Sequence, residues 1–360
     1  MAFDPEDPAG QAFRAAVGRR LEAGLAVQRD LLAPAGDRLD PLWDWARRLA
    51  RGGKRLRPAF CYWGYAAVAG QPPNPEPLLA VAASLDLFHV SALVHDDIID
   101  DSDSRRGAPS AHRHFARLHA RRGWSGSSDD FGRAAAILLG DLLAAVSSTL
   151  VEDSRLPSER LRRGRPYLDA AKVAVAAGQY LDLRQQVAPG GDPLAEAKLV
   201  MEFKTSQYTV TRPVQLGAAL GLADDRVLAR LSRFGSHLGR AYQLRDDLLG
   251  VFGDPAVTGK PAGDDLREGK RTLLVAEGLR LAPPDQAARL TALLGDPGLT
   301  GEQVDQARAL LAGCGAVAAV ERAIDEAAGR ALRLLGDLEL KADGESALIA
   351  LAHLVVERTA

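Results

Sequence analysis

Leu93-Val94-His95-Asp96-Asp97-Ile98-Ile99-Asp100-Asp101 decides the reading of this chain. Asp96 and Asp100 lie four residues apart, so an α-helix projects both carboxylates from one face, with Asp97 and Asp101 beside them. Like charges at that spacing repel, and here they end an apolar stretch that belongs in a core. Divalent cations neutralise such a cluster, and an all-oxygen site suits Mg²⁺. Arg105-Arg106-Gly107 follows near the same helix end and offers two fixed cations able to grip phosphate bidentately. Carboxylates for Mg²⁺ beside arginines for phosphate point to a diphosphate substrate.

Working outward, a second acidic pair occurs about 150 positions downstream, in Tyr242-Gln243-Leu244-Arg245-Asp246-Asp247-Leu248-Leu249-Gly250, again within an amphipathic helical pattern. Basic segments accompany both pairs: Gly52-Gly53-Lys54-Arg55-Leu56-Arg57-Pro58 before the first, and Gly259-Lys260 with Lys270-Arg271-Thr272 after the second. Lys54 and Arg57, three apart and just ahead of a Pro-started helix, are placed to face one diphosphate together. Arg121 and Arg122 lie beside a polar loop without such a pattern and read as solvated surface.

Helical periodicity dominates the chain. Phe13, Val17, Leu21 and Leu25 recur every fourth position and line one helix face. Pro58 suits the first turn of a helix ending near Gly70, and the next helix runs from about Leu78 to Asp101. Further helices are expected up to Val151, over Arg165–Ala188, Pro193–Leu222 and Asp225–Phe252, and near 286–294, 301–312, 315–335 and 345–358. Asp254 to Lys270 reads as an irregular loop. No strand alternation and no fixed short repeat emerges. The expectation is one all-α domain over 1–360, with 1–8 a flexible, acidic and Pro-rich start.

Composition narrows the function. Of 360 residues, 47% are hydrophobic, enough for a substantial core, and a net charge of −2 gives no reason to expect nucleic acid as a partner. Cys61 and Cys314 are the only cysteines, which implies neither a disulfide framework nor a structural zinc site and fits a cytoplasmic protein. No uncharged apolar run reaches the 18 or so residues of a spanning helix, and Asp141 interrupts the nearest, Ala134 to Leu150. No stable membrane insertion is expected.

The ordered set of motifs resembles the trans-isoprenyl diphosphate synthase (polyprenyl synthetase) family. Gly140-Asp141, Gly178-Gln179-Tyr180-Leu181-Asp182 and Lys204-Thr205 complete the likeness, which runs in order from about Gly52 to Thr272. The resemblance implies a helical bundle around a central active-site cavity and head-to-tail prenyl transfer: an allylic diphosphate ionises, isopentenyl diphosphate attacks, and a proton is lost. It implies three Mg²⁺ ions with the bound diphosphate, with Asp96, Asp97, Asp100, Asp246 and Asp247 as the metal-site carboxylates. Arg105, Lys204, Thr205, Gln243, Lys260 and Lys270 would serve the allylic substrate; of these Lys204, Thr205 and Gln243 would line the cation path. Lys54, Arg57, His89 and Arg106 would hold isopentenyl diphosphate, His89 on the resemblance alone; His95 has no such match and reads as structural. Tyr180-Leu181-Asp182 is read equally as support for the pocket or as a packing motif. A homodimer is expected.

Product length follows from the helix before Asp96. Ser91 and Ala92 are small, and Phe88 is the first bulky side chain a growing chain meets, so geranylgeranyl diphosphate (C20) is expected. Gly250 stands where many relatives carry a third aspartate; an aspartate there is expected to change activity little and to relieve the roughly 1 kcal/mol that glycine costs a helix. A class I terpene cyclase and a non-catalytic partner subunit share the fold, but both usually lose part of the isopentenyl diphosphate site, whereas Lys54, Arg57, Arg105 and Arg106 are all present.

Overall fold

The computed structural model describes residues 2–187, 191–253, 263–296 and 298–357. The all-α expectation holds, and the chain divides by its internal contacts into two compact units. Unit 1 comprises Met1–Asp169, Pro213–Leu228 and Leu340–Leu351; unit 2 comprises Ala170–Arg212, Ala229–Glu339 and Ala352–Ala360.

Unit 1 is built on α4 (Glu76–Ile99), whose Leu78, Leu79, Leu85, Leu87, Val90 and Val94 are buried. Around it pack α1 (Gln11–Leu31), α2 (Asp40–Ala50), α3 (Leu56–Ala69), α5 (Ala111–Arg122) and α6 (Ser128–Glu152). Phe13, Val17, Leu21 and Leu25 of α1 are all buried, as their spacing predicts. The sequence reading left α2 unassigned, although Trp43, Trp45, Ala46 and Ala50 bury one helical face. The start of the chain is docked rather than loose: Phe3 is 4% exposed, packs edge-on against Phe13 and Tyr62, and donates its backbone N–H to Gln71. Pro8 accepts a 2.8 Å bond from the Trp63 indole.

Two apolar helices, α4 and α6, are long enough to cross a membrane by length and composition; 72% of the apolar window of α4 and 44% of that of α6 is buried within the protein. Their contact explains Gly140. A Cβ there would run into the His95 ring, which lies against α6 with Nε2 3.2 Å from the Ile137 carbonyl and 3.6 Å from Asp141. His95 is thus a docking residue between helices.

After α4 the chain forms a hairpin that the sequence reading did not foresee, because its strands are too short to show alternation. β1 (Ser104–Arg105) pairs antiparallel with β2 (Ala108–Pro109), Arg105 opposite Ala108. Arg106 (φ 53°) and Gly107 (φ 70°) form the two-residue turn, whose positive φ at both positions matches the strand twist.

Unit 2 contains the C-terminal part of α7 (Ser158–Val187), then α8 (Pro193–Val200), which leads into the π-helix Met201–Thr211; after α9 (Arg212–Leu220) it holds most of α10 (Asp225–Phe252). The single helix expected over Pro193–Leu222 is therefore three segments. Glycines let backbones close on the π-helix from two sides: Gly178 of α7 abuts the backbone of Lys204, while Gly235 and Gly239 of α10 abut Thr211 and Ser206. Helices over Leu273–Leu281, Pro284–Leu293, Gly301–Gly313 and Ala316–Gly336 surround a second core containing Leu244, Leu248, Leu274, Leu311 and Ile324.

Candidate active site

In unit 1 the glycine-rich turn before α3 is strained on purpose. Gly52 (φ 83°) and Gly53 (φ 86°) adopt a conformation open mainly to glycine, and Arg55 follows them into the left-handed region (φ 53°). Arg55 is 5% exposed and donates to the Asp86 carboxylate and to the Ala50 carbonyl (2.6 Å). This buried pair escaped the sequence reading; its signal was an aspartate inside the apolar run of α4, where a charge needs a partner.

Four arginines lie near enough to one imidazole to act on its charge. Burial first, and then the positive charges of Arg57, Arg106, Arg105 and Arg55, hold the His89 pKa well below the ordinary histidine value, so the ring is neutral. Arg106 donates to the Leu49 carbonyl at 3.0 Å, and its guanidinium lies against Gly53. Lys54 is exposed beside this turn and Arg57 is half-buried. Arg57, His89 and Arg106, expected at the isopentenyl diphosphate site, therefore share one positively charged neighbourhood, with Lys54 on the glycine turn.

The first acidic motif splits by direction. Asp96 and Asp100 are half-buried at the open face of α4, Asp100 closing the helix end. Asp97 is 2% exposed and turned inward, where it accepts from Arg105 Nε at 2.8 Å and from a second guanidinium nitrogen. Asp96 lies 3.8 Å from the same guanidinium. The sequence reading counted Asp97 among the metal-site carboxylates in a supporting role, and in the structure it is bound to Arg105. Of the chain-length residues, Phe88 and Ala92 are half-buried, whereas Ser91 is 2% exposed and turned into the helix packing.

Unit 2 repeats that division. Asp246 is half-buried, while Asp247 is 4% exposed and accepts from Gln243 Nε2 at 2.7 Å. Burial drives the Asp247 pKa up to about 7, the Gln243 hydrogen bond opposing and Asp265 and Asp246 adding to the rise. Thr205 donates to Gln243 Oε1 at 2.5 Å, so Thr205, Gln243 and Asp247 make one chain of hydrogen bonds. Lys204 donates to Asp182 at 2.5 Å, which gives the Tyr180-Leu181-Asp182 stretch a partner for its aspartate, whereas Tyr180 is 67% exposed. Lys270 pairs with Glu268 and lies 3.7 Å from Asp265. Lys260 lies outside the described residues.

The surroundings of Gly250 bear on the stability gain expected of an aspartate there. A Cβ at this position would meet the Asp265 carboxylate, so residue 265 fills the space into which a side chain at 250 would grow. An aspartate there would face another carboxylate instead of relieving a flexible helix position.

Among the described residues no three metal-donating side chains gather at one point. Mg²⁺ binds through one or two carboxylates plus substrate phosphates and waters far more readily than in an all-protein cage. Within unit 1 the half-buried Asp96 and Asp100 fit that mode of binding, and within unit 2 so does the half-buried Asp246.

Comparison with known proteins identifies the family of the chain. The family profile for Polyprenyl synthetase matches residues 42–311. The geranylgeranyl diphosphate synthase of Mycobacterium tuberculosis is 32% identical over 351 residues, spanning 96% of this chain and 92% of that protein. The nonaprenyl diphosphate synthase of the same organism is also 32% identical, over 85% of this chain and 83% of its own. Among solved structures, a geranylgeranyl pyrophosphate synthase from Corynebacterium glutamicum, complexed with isoprenyl diphosphate and magnesium, gives a TM-score of 0.93 at 35% identity, covering 99% of this chain and 100% of that one.

Proposed function

Because the chain belongs to the polyprenyl synthetase family, whose members are transferases that build prenyl diphosphates, we propose that it condenses isopentenyl diphosphate head to tail with allylic diphosphates, yielding geranylgeranyl diphosphate. The observation that carries this reading is the placement of the Arg106 guanidinium against the glycine turn that also carries Lys54, with Arg57 following in the first turn of α3. A diphosphate bound there needs no metal, which suits the substrate that must keep its diphosphate throughout.

In the reaction the allylic C–O bond breaks, its electron pair leaves with the diphosphate, a C–C bond forms to the isopentenyl alkene, and a proton departs to the released diphosphate. Asp96 and Asp100 in unit 1, and Asp246 in unit 2, are the carboxylates that would hold Mg²⁺, which would stabilise charge on the leaving group. Asp97 orients Arg105 toward that group, and Asp182 holds Lys204. The Thr205–Gln243–Asp247 chain aims hydroxyl and amide dipoles, which favour a cation without trapping it as a nucleophile would.

Equal identity to synthases named for C20 and for much longer products leaves product length to this chain's own side chains. Phe88 lies one turn below Ala92 on α4 and is the first large obstacle on that face. A homodimer is supported by α6, an apolar helix that leaves Ile137 (46%) and Leu138 (63%) exposed on the described chain.

Product analysis tests the proposal. Purified protein with isopentenyl diphosphate, each allylic primer and Mg²⁺ should yield C20, and Phe88→Ala should lengthen it. A cyclic hydrocarbon, or no turnover with any primer, would overturn the synthase reading; C15 alone or mainly C30 would overturn only the role of Phe88.

A further inference from the structure

Beside the glycine turn, α1 and α2 line an open groove of about 760 Å³, within the size range of small-ligand sites. Its rim carries Arg14 and Arg19 from α1 and Arg47 and Arg51 from the end of α2, with Glu22 as the one acid among its lining residues. Glu22 already pairs with Arg47 at 3.0 Å. Arg55, which also borders the groove, is taken by Asp86. Among the described residues no carboxylate pairs with Arg14, Arg19 or Arg51. Arg14, Arg19 and Arg51, all exposed, thus line one concavity together, and a concave positive surface draws anions more strongly than a convex one.

The floor is equally informative. Leu21 and Ala50 line it, and above Gly18 there is open space: a Cβ added at this position would meet nothing within 4 Å. Gly18 therefore serves no close helix contact, although it costs helix stability; its effect is to leave the groove deep. Gly52 and Gly53 form one wall, and the lining includes none of Lys54, Arg57, His89 or Arg106.

We propose that this groove is a second anion site, which binds a phosphate-bearing ligand through Arg14, Arg19 and Arg51. Guanidinium forks match phosphate oxygens in pairs, and the open floor admits the body of the ligand. The ligand is either a phosphate or diphosphate free in solution or the phosphate headgroup of an anionic lipid.

The test uses the full chain without divalent metal. Inorganic diphosphate is titrated calorimetrically into Lys54→Ala/Arg57→Ala protein, which removes the proposed isopentenyl diphosphate contacts, and into the same protein carrying Arg14→Glu/Arg51→Glu or Gly18→Leu. In parallel, the otherwise unaltered chain and its Arg14→Glu/Arg51→Glu variant are sedimented with phosphatidylcholine vesicles with and without phosphatidic acid. Residual diphosphate binding that weakens about tenfold or more on charge reversal, and also on filling the floor with leucine, supports a soluble ligand. Vesicle binding that requires both phosphatidic acid and the two arginines supports the lipid headgroup. If neither probe responds to Arg14, Arg51 and Gly18 in variants that melt like the parent, the proposal is overturned. Lack of any effect of Lys54→Ala/Arg57→Ala would count against the isopentenyl diphosphate site instead, since the groove variants are read independently.

Discussion

Lys204 and Asp182 meet at 2.5 Å on adjoining segments, the lysine on a π-helix and the aspartate one turn along α7 from the glycine on which that lysine's backbone rests. Gly178 and Asp182 thus fix Lys204 at both ends, backbone and ammonium. Asp182→Asn keeps the shape and removes the charge. Its expected effect is a fall of about tenfold in kcat/KM for the allylic substrate, with KM for isopentenyl diphosphate unchanged. Steady-state kinetics with each substrate varied in turn checks this, and a matching rise in both KM values would argue for general disorder instead.

Gly250 gives a prediction opposite to the one its helix position suggests. Gly250→Ala should bring none of the usual gain, because its methyl group must displace the Asp265 carboxylate. Gly250→Asp adds a fourth carboxylate near Asp246, Asp247 and Asp265 and should cost about 1–2 kcal/mol in the metal-free protein. Adding Asp265→Ala should recover most of that loss. Thermal melts of the three variants decide the matter.

Arg55 and Asp86 are both almost fully enclosed, so removing one leaves a buried charge. Asp86→Ala should destabilise by roughly 3–5 kcal/mol, whereas the double change Arg55→Met/Asp86→Leu should cost much less. Because Arg55 lies between Lys54 and Arg57, the double variant should also raise KM for isopentenyl diphosphate more than KM for the allylic substrate. Denaturant titration and kinetics on the same preparations separate the two effects.

His114 stacks on Trp45 with ring centroids 3.6 Å apart, and burial, followed by Arg121, Arg48 and Arg117, lowers its pKa to about 4. The folded chain therefore holds this ring neutral, while the unfolded chain protonates it near 6.5. Its contribution to stability is complete above about pH 6.5 and is lost as the pH falls toward 4. His114→Phe preserves the stack and should flatten the melting temperature over that interval. An unaltered pH profile would show that other groups, such as His89 and His112, govern acid sensitivity.

Much of this was readable in the residues because period and motif order are properties of the chain. Phe13 to Leu25 predicted a buried face, and Asp225–Phe252 was found at its expected bounds. Direction within a motif was not readable. Asp96 and Asp97 differ by about 100° around the helix, and only the position of Arg105 decides which carboxylate turns inward. The hairpin carrying Arg105 has two-residue strands, too brief for any alternation. Asp265 was missed because its neighbour in space, Gly250, is fifteen positions away and separated from it by 254–262.

The π-helix has a consequence for how this protein can change over time. Its wide turns hold one residue more than α-helical hydrogen bonding would, so Met201–Thr211 stores a surplus in chain count. Deleting one residue there would let the segment close into an ordinary helix and draw the residues on one side of the deletion off the contacts they now make. Lys204 could then keep its seat on Gly178, or Ser206 its seat on Gly239, but not both. A surface loop absorbs such an edit as slack; here it would become an error of aim. Lineages carrying this clasp should vary in side chains along the segment while keeping its length.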